Sequence, residues 1–474
     1  MIKNITRLTI LVVVFLTTYL PVFSQEEGKK ETDTLTSFIE KIKSDVDFLK
    51  RLKISGYVQA QWQKAPQAGI DSYAGGNFSS NADNRFSLRR GRVKFAYEWD
   101  YSQFVLQIDV TEKGVVIKDA YASITDPWTR YFTATAGMFN RPFGYEIAYS
   151  SSLRESPERS RFTQTLFPGE RDLGAKLLIQ APKTSRFNFL SLEGGLFNGT
   201  GPTTVDFDSY KDFTGRLAIT RNTVNEKIRY GLGVSYYRGG WRQGTPTNYQ
   251  MDEVTLTDGQ KLNAFHVDTT SALGDRLKRE YFGADLQLVF DFPFGITQIR
   301  SEYVFGTQPG TSKTSISPII QPLGDASLIT TAITDEQGNI TGYSTVSKTE
   351  PADAYLRRFN GFYVYFIQNI FQTKHQIVFK YDWYDPNTDV DADELAAHSK
   401  ELPKGYKATN AVDLKYYTIG IGWAYRWNTH VKLSAYYDFV NNETSAYLTS
   451  TNVLKDFSKD VEDDVFTLRL QYKF

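Results

Sequence analysis

The chain of 474 residues has no cysteine, so no disulfide can support its fold and no leader cysteine is available for lipid attachment. It also lacks a long hydrophobic run. The most apolar stretch, Leu8 to Leu16, falls well short of the roughly 20 residues that a bilayer-spanning helix needs. Nor does one sign of charge dominate: 54 basic residues face 54 acidic ones, which gives a nucleic-acid partner no electrostatic support. Histidine is scarce. His266, His375, His398 and His430 are scattered, and none sits beside a serine or acid in a nucleophile arrangement. No G-x-S-x-G, H-E-x-x-H or phosphate-cradling glycine loop occurs, so neither an enzyme nor a cofactor is expected. The triplet Asp389, Asp391, Asp393 opens like a calcium loop. However, Glu394 stands where that loop requires Gly and Lys400 where it requires Glu, so the segment reads as a solvated acidic loop and no metal is expected.

The chain opens with Lys3 and Arg7, then the apolar run, then Val22-Phe23-Ser24, which is the pattern of a secretory signal over residues 1–24 cleaved before Gln25. In the following segment, 25–53, Leu35, Phe38, Ile39, Ile42, Val46, Leu49 and Leu52 recur at helical spacing. This predicts a short N-terminal amphipathic helix on the periplasmic side. Its 35, 39, 42, 46, 49 spacing also fits a short coiled coil joining several copies, although the stretch is under four heptads.

From residue 54 to 474 the period changes to two. The last nine residues, Phe466 to Phe474, put Phe466, Leu468, Leu470, Tyr472 and Phe474 on one face and Thr467, Arg469, Gln471 and Lys473 on the other. Comparable runs fall near 54–62, 86–100, 102–112, 116–125, 130–139, 172–181, 187–197 and 211–222, then 227–238, 279–292, 296–306, 358–370, 374–386, 414–428, 430–442 and 464–474. Together they predict an all-β chain, a transmembrane antiparallel β-barrel of about sixteen strands in the bacterial outer membrane, with lipid and lipopolysaccharide outside and water within. The aromatic content, 30 Tyr and 33 Phe, suits girdles at the two membrane–water interfaces. Short links at Asp100-Tyr101, Phe292 to Gly295 and Trp427 to Thr429 read as periplasmic turns. The long links 63–85, 140–171, 239–278, 307–357 and 387–413 read as outer loops, several of them irregular, mobile and exposed. The glycine pairs Gly231/Gly233 and Gly420/Gly422 fall within strands, where they serve curvature or close packing.

A barrel of this size holds water, so something must narrow it. Segment 140–171 is too long for a turn. It carries Arg141, Arg154, Arg159, Arg161 and Arg171 with serines at 150–152, a set of fixed cations and hydroxyls suited to an oxyanion. The run Asn84 to Arg92 adds Arg85, Arg89, Arg90 and Arg92. On a strand, Arg90 and Arg92 share a face with Lys94 and point into the lumen. Glu146, Glu155, Glu158 and Glu170 lie in the same segment and can pair with these arginines, leaving a mixed-charge eyelet.

The motifs FSLRRGRVKF, GMFNRPFGYE, SSSLRESPERS and PGERDLGAK, in this order, resemble the phosphate-selective porin O/P family over essentially the whole mature chain. The resemblance implies a sixteen-stranded homotrimeric barrel whose third loop folds inward. It also implies a path for small anions past Arg89, Arg90, Ser151 and Ser152, and the residues expected near that path are Arg85, Arg89, Arg90, Arg92, Ser151, Ser152, Arg154, Arg159 and Arg161. The family's phosphate-selective members carry a lysine just before the serine pair, and here Ile147, Ala148 and Tyr149 stand in that neighbourhood. The expected function is therefore passive diffusion of small hydrophilic solutes through a general or weakly anion-selective pore. The alternatives are a phosphate- or oxyanion-selective channel and a non-conducting barrel whose loops bind a surface ligand.

Overall fold

A computed structural model describes residues 41–43, 46–48, 50–202, 204–206, 208–223, 227–317, 323–334, 340–449 and 456–474, with the backbone alone for 323–334 and 340–350. The expected leader and the first part of the expected helix lie outside these residues. Met1–Arg51 and Leu52–Phe474 form separate units, and the described residues of the first are helical.

The second unit is a closed antiparallel barrel of sixteen strands. In chain order they are β1 Leu52–Lys64, β2 Asn84–Trp99, β3 Ser102–Thr111, β4 Gly114–Thr125, β5 Phe132–Asn140, β6 Arg171–Gln180, β7 Leu190–Phe197 and β8 Asp212–Asn222. The second half consists of β9 Ile228–Arg242, β10 Arg276–Phe292, β11 Gly295–Gly310, β12 Ala354–Asn369, β13 His375–Asp385, β14 Tyr416–Arg426, β15 Val431–Asn442 and β16 Val465–Lys473. Each pairs with the next, and β16 closes on β1 with Gln471 opposite Gln59. Phe474 completes the seam: its N–H donates to the Gly56 carbonyl, and its own carbonyl accepts from the Gly56 N–H, both at 3.0 Å.

Each expected run overlaps one strand. Several strands continue a few residues beyond the expected ends at the long-loop rim, as in Gly239–Arg242 of β9 and Ala354–Arg357 of β12. The apolar alternation stops where the outward side chains leave the apolar band, whereas backbone pairing continues above it.

The two faces of the wall differ as period two requires. On β16, Thr467, Arg469 and Gln471 are buried inside, while Leu468, Leu470 and Tyr472 are exposed outside. A band of exposed Leu, Ile, Val and Phe runs round the exterior, a surface far too apolar for water. At or beside the short turns, Trp99, Trp128, Phe187, Phe294, Phe371 and Trp427 are exposed in a ring, the aromatic girdle of one membrane–water interface.

Two of the long outer connections, 239–278 and 307–357, carry strands where the sequence predicts irregular segments. Residues 248–255 and 261–268 form a hairpin, 323–334 and 340–351 form another, and the first also pairs with 354–356 and 406–407. Tyr249, Phe265 and Tyr355 stack as a buried cluster within this roof. In the first hairpin these aromatic residues meet across strands, which holds it to the start of β12.

The principal hydrophobic core lies inside the barrel. Loop 3 (141–170) folds into the lumen, and its Phe143, Ile147, Phe162, Leu166 and Phe167 pack against wall tyrosines such as Tyr237, Tyr281 and Tyr363. Between these tyrosines the wall carries glycine where the phenylalanines press against it. A Cβ on Gly361 would come 2.7 Å from the Phe162 Cβ, and one on Gly283 would come 2.9 Å from Phe143 Cζ. Each buried phenylalanine contributes about 1.5–3 kcal/mol, so the loop is a packed element rather than a flap. Gly420 and Gly422 leave space in which Tyr436 lies flat across them, the close-packing role expected of that glycine pair.

Candidate permeation path and constriction

Loop 3 packs against β9 to β16 and β1 and leaves space along β2 to β8. An outer cavity of about 270 Å³ is lined by Arg85, Arg89, Thr111, Glu112 and Glu158, and an inner one of about 370 Å³ by Lys94, Gln103, Asp119, Ala148, Lys176 and Arg216. The wall between these linings comprises Arg90 to Val93 on β2 and Gly114 to Lys118 on β4. This layer separates the two cavities and is the candidate constriction.

A β-bulge shapes the wall here. On β2, Arg90 pairs with Gln59 and Leu88 with Ala60, leaving Arg89 as the extra residue. Two successive arginines thereby reach the same carboxylate, which strict alternation forbids. Glu158 of loop 3 accepts from Arg89 Nε at 2.6 Å and Nη2 at 2.7 Å, and lies 3.6 Å from both Arg90 Nη2 and Arg469 Nη2. Burial alone would raise the Glu158 carboxyl, but Arg89 and Arg90 outweigh it and hold the group well below the usual carboxylate range. The same balance holds at Glu170, where Arg159 and Arg171 overcome burial and depress the carboxyl.

The expected path residues divide into three groups. Arg89, Arg90 and Arg92 converge on loop 3. Arg92 pairs with Asp109 at 2.9 Å and donates to Ser151 Oγ at 3.1 Å. Ser151 is further tied by the Tyr57 hydroxyl at 2.6 Å and, through its carbonyl, by Gln59 at 3.0 Å. Ser152 shares a hydrogen bond with Ser150, and its carbonyl accepts from Gln471 at 3.0 Å. In the second group, Arg154 and Arg159 work inside the loop. Arg154 donates to the Pro157 carbonyl at 2.9 Å, while Arg159 binds the carbonyls of Glu146, Ile147 and Tyr149 and pairs with Glu170.

The third group lies elsewhere. Arg85 sits at the outer rim over Phe78, donating to Gln63 and the Gly75 carbonyl. The Arg161 guanidinium is sandwiched between Tyr73 at 4.3 Å and Tyr416 at 3.3 Å, facing β14.

Other residues of this layer have no place in the sequence reading. Arg300 pairs with Glu155, and the Glu302 carboxylate accepts from the N–H groups of Tyr145 and Glu146 at 3.0 and 3.1 Å, so loop 3 is also held at the opposite wall. Asp109 and Asp119 neutralise Arg92 and Arg171. Lys118 is the extra residue of a second bulge, since Gln107 pairs with Asp119 and Ile108 with Ile117. A sequence signal for both bulges exists: two adjacent charged residues, Arg89-Arg90 and Lys118-Asp119, interrupt alternating runs.

The fold and site define a transmembrane-type sixteen-stranded barrel with an inward third loop. No protein-family model and no curated protein matches the chain. Solved structures similar to it include an anion-selective porin from Comamonas acidovorans, at 10% identity and TM-score 0.47, covering 89% of this chain and 99% of that one. Others are the outer membrane channel DcaP of Acinetobacter baumannii (11%, 0.44, 89% and 97%) and the trimer form of OmpT from Vibrio cholerae (8%, 0.44, 89% and 99%). Both the fold and the functional reading rest on the chain's own residues.

Proposed function

We propose that this protein is a non-enzymatic outer-membrane diffusion channel for small hydrophilic solutes that prefers anions. The observation that carries the reading is the charge-lined layer between two cavities, set in a barrel whose exterior is apolar. In that layer Arg89, Arg90, Arg92, Arg159, Arg171, Arg469 and Lys118 outnumber the carboxylates Asp109, Asp119, Glu158 and Glu170. An excess of fixed cations at a narrow, partly desolvated waist favours anions over cations. The reading includes a cleaved signal at 1–24, contact with lipid and lipopolysaccharide, and a homotrimer, the last tested by the native mass of the detergent-solubilised protein.

A dedicated phosphate channel of the O/P type has less support, because Ser151 and Ser152 are engaged with Tyr57, Arg92, Ser150 and Gln471 rather than free to bind an oxyanion. The non-conducting alternative draws on the hairpin roof over part of the mouth. Single-channel conductance of the refolded protein in a planar bilayer, in chloride with phosphate added stepwise, separates the three. Steady anion-preferring conductance that ignores phosphate is expected. Block at low phosphate would reinstate the oxyanion channel, and the absence of conductance would leave the surface-binding barrel.

A further inference from the structure

We infer that Lys118, rather than the arginine cluster, is the residue that sets anion preference at the constriction. This rests on the channel reading above and assigns its selectivity to one side chain.

The arginines of the layer are each held by a carboxylate. Arg92 faces Asp109 at 2.9 Å, Arg171 faces Asp119 at 3.1 Å, and Arg159 and Arg171 share Glu170. Arg89, Arg90 and Arg469 surround Glu158, with Arg90 and Arg469 buried against β1, where they also bond Gln59 and Gln61. Guanidiniums fixed this way hold loop 3 in place and are not free to turn toward a passing ion.

Lys118 differs on each count. Among the described residues it has no hydrogen bond, ion pair or ring contact, and it is only partly buried. Its electrostatic neighbours are Glu170, Arg92, Arg171 and Asp109, so it stands in the same layer, but the two carboxylates there are engaged by arginines. The bulge between Ile117 and Asp119 inserts it as an additional residue next to the inward-facing Asp119. Along β4 it lies just before Asp119, which lines the inner cavity, while Thr111 and Glu112 at the end of β3 line the outer one. A passing ion must cross this level. Of the cations there, a flexible ammonium with no fixed partner is the one able to turn toward it.

The test is the reversal potential of the full-length mature protein in a planar bilayer under a potassium chloride gradient. A unit charge about 5 Å from a permeating ion changes that ion's occupancy roughly fourfold even at a water-like dielectric. Lys118→Gln should therefore lower the chloride-over-potassium permeability ratio about fourfold or more while leaving single-channel conductance measurable, and Lys118→Arg should retain the wild-type ratio. Lys118→Met, which keeps the length of the stem, replaces the Gln variant should that one fail to fold. An unchanged ratio in a conducting Lys118→Gln or Lys118→Met channel would overturn the assignment while leaving the channel reading intact. A wild-type protein that carries no current would overturn the channel reading and the role of Lys118 with it.

Discussion

Glu158 is the single group whose removal should do most to free loop 3. Its carboxylate is 9% exposed and faces three guanidiniums: Arg89 in a two-pronged contact at 2.6 and 2.7 Å, and Arg90 and Arg469 at 3.6 Å each. Glu158→Gln preserves the shape and one acceptor but leaves Arg90 and Arg469, both buried, without a countercharge. Losing one partner of a buried ion pair costs about 3–5 kcal/mol, which is far more than an exposed pair is worth. The folded barrel should unfold at a markedly lower urea concentration, with the unfolding constant raised roughly 10²- to 10³-fold or more. Loop 3 keeps its other anchors, including Arg300 with Glu155 and the hydroxyls of Ser156 and Tyr365, which share a hydrogen bond at 2.7 Å. The barrel should therefore still assemble, and single-channel traces should show higher conductance with more open-state noise. The depressed carboxyl fixes the sign of the pH dependence. The anchor is fully present above the ordinary glutamate value of 4.5 and is lost only as pH falls below it toward the folded-state value. Mild acidification to about pH 5 should thus leave wild-type conductance unchanged. A Glu158→Gln barrel with wild-type unfolding midpoint and wild-type conductance would refute the view that these arginines hold the loop.

Three further outcomes follow from the same packing. Burial, reinforced by Asp460 and Asp464 and opposed by Arg161, pushes the Asp463 carboxyl in loop 8 (443–464) up to about 7, so the folded loop takes up a proton that the unfolded chain releases near 3.8. Loop 8 should be most protected at low pH and lose that protection as pH rises from about 4 to about 7. Asp463→Asn should abolish the slope in amide hydrogen exchange, and a slope that persists in the variant would exclude Asp463 as its source. Gly361→Leu places a side chain against Phe162 and should cost roughly 1–3 kcal/mol by overpacking while displacing the loop. Denaturation midpoint and conductance should change together, and a change in neither would mean that the loop does not rest on that wall. Deleting Phe474 removes both hydrogen bonds to Gly56 and should lower barrel stability by about 1–3 kcal/mol, read as a lower denaturation midpoint. An unchanged midpoint would show that the seam closes without it.

Much of this architecture is legible in the sequence because lipid and water impose the simplest possible pattern on a strand. Phe466 to Phe474 alternate because one face meets lipid and the other a polar lumen, and the same reasoning locates each of the sixteen strands. Loop 3 is legible for a different reason: 141–170 is too long for a connection between adjacent strands and too rich in arginine and serine to be idle. The hairpins within the outer loops are harder to read, since their few apolar residues, such as Tyr249 and Phe265, matter only through partners distant in sequence.

The charge pattern is where one-dimensional reading runs out. It identifies arginines and glutamates in loop 3 but cannot say which neutralise which, and that pairing decides whether a cation guides ions or holds a loop. The pairing depends on two bulges. By alternation, Arg89 should point away from Arg90 into lipid, and the extra residue at this position is what turns both toward Glu158. Lys118 should likewise oppose Asp119, and the bulge on β4 brings it near Glu170 and Asp109 while Asp119 binds Arg171. A charged side chain facing lipid costs about 2–4 kcal/mol near the bilayer midplane. At Arg89-Arg90 and at Lys118-Asp119 a bulge removes that cost by turning the otherwise outward charge of each pair away from lipid, and both bulges lie beside loop 3.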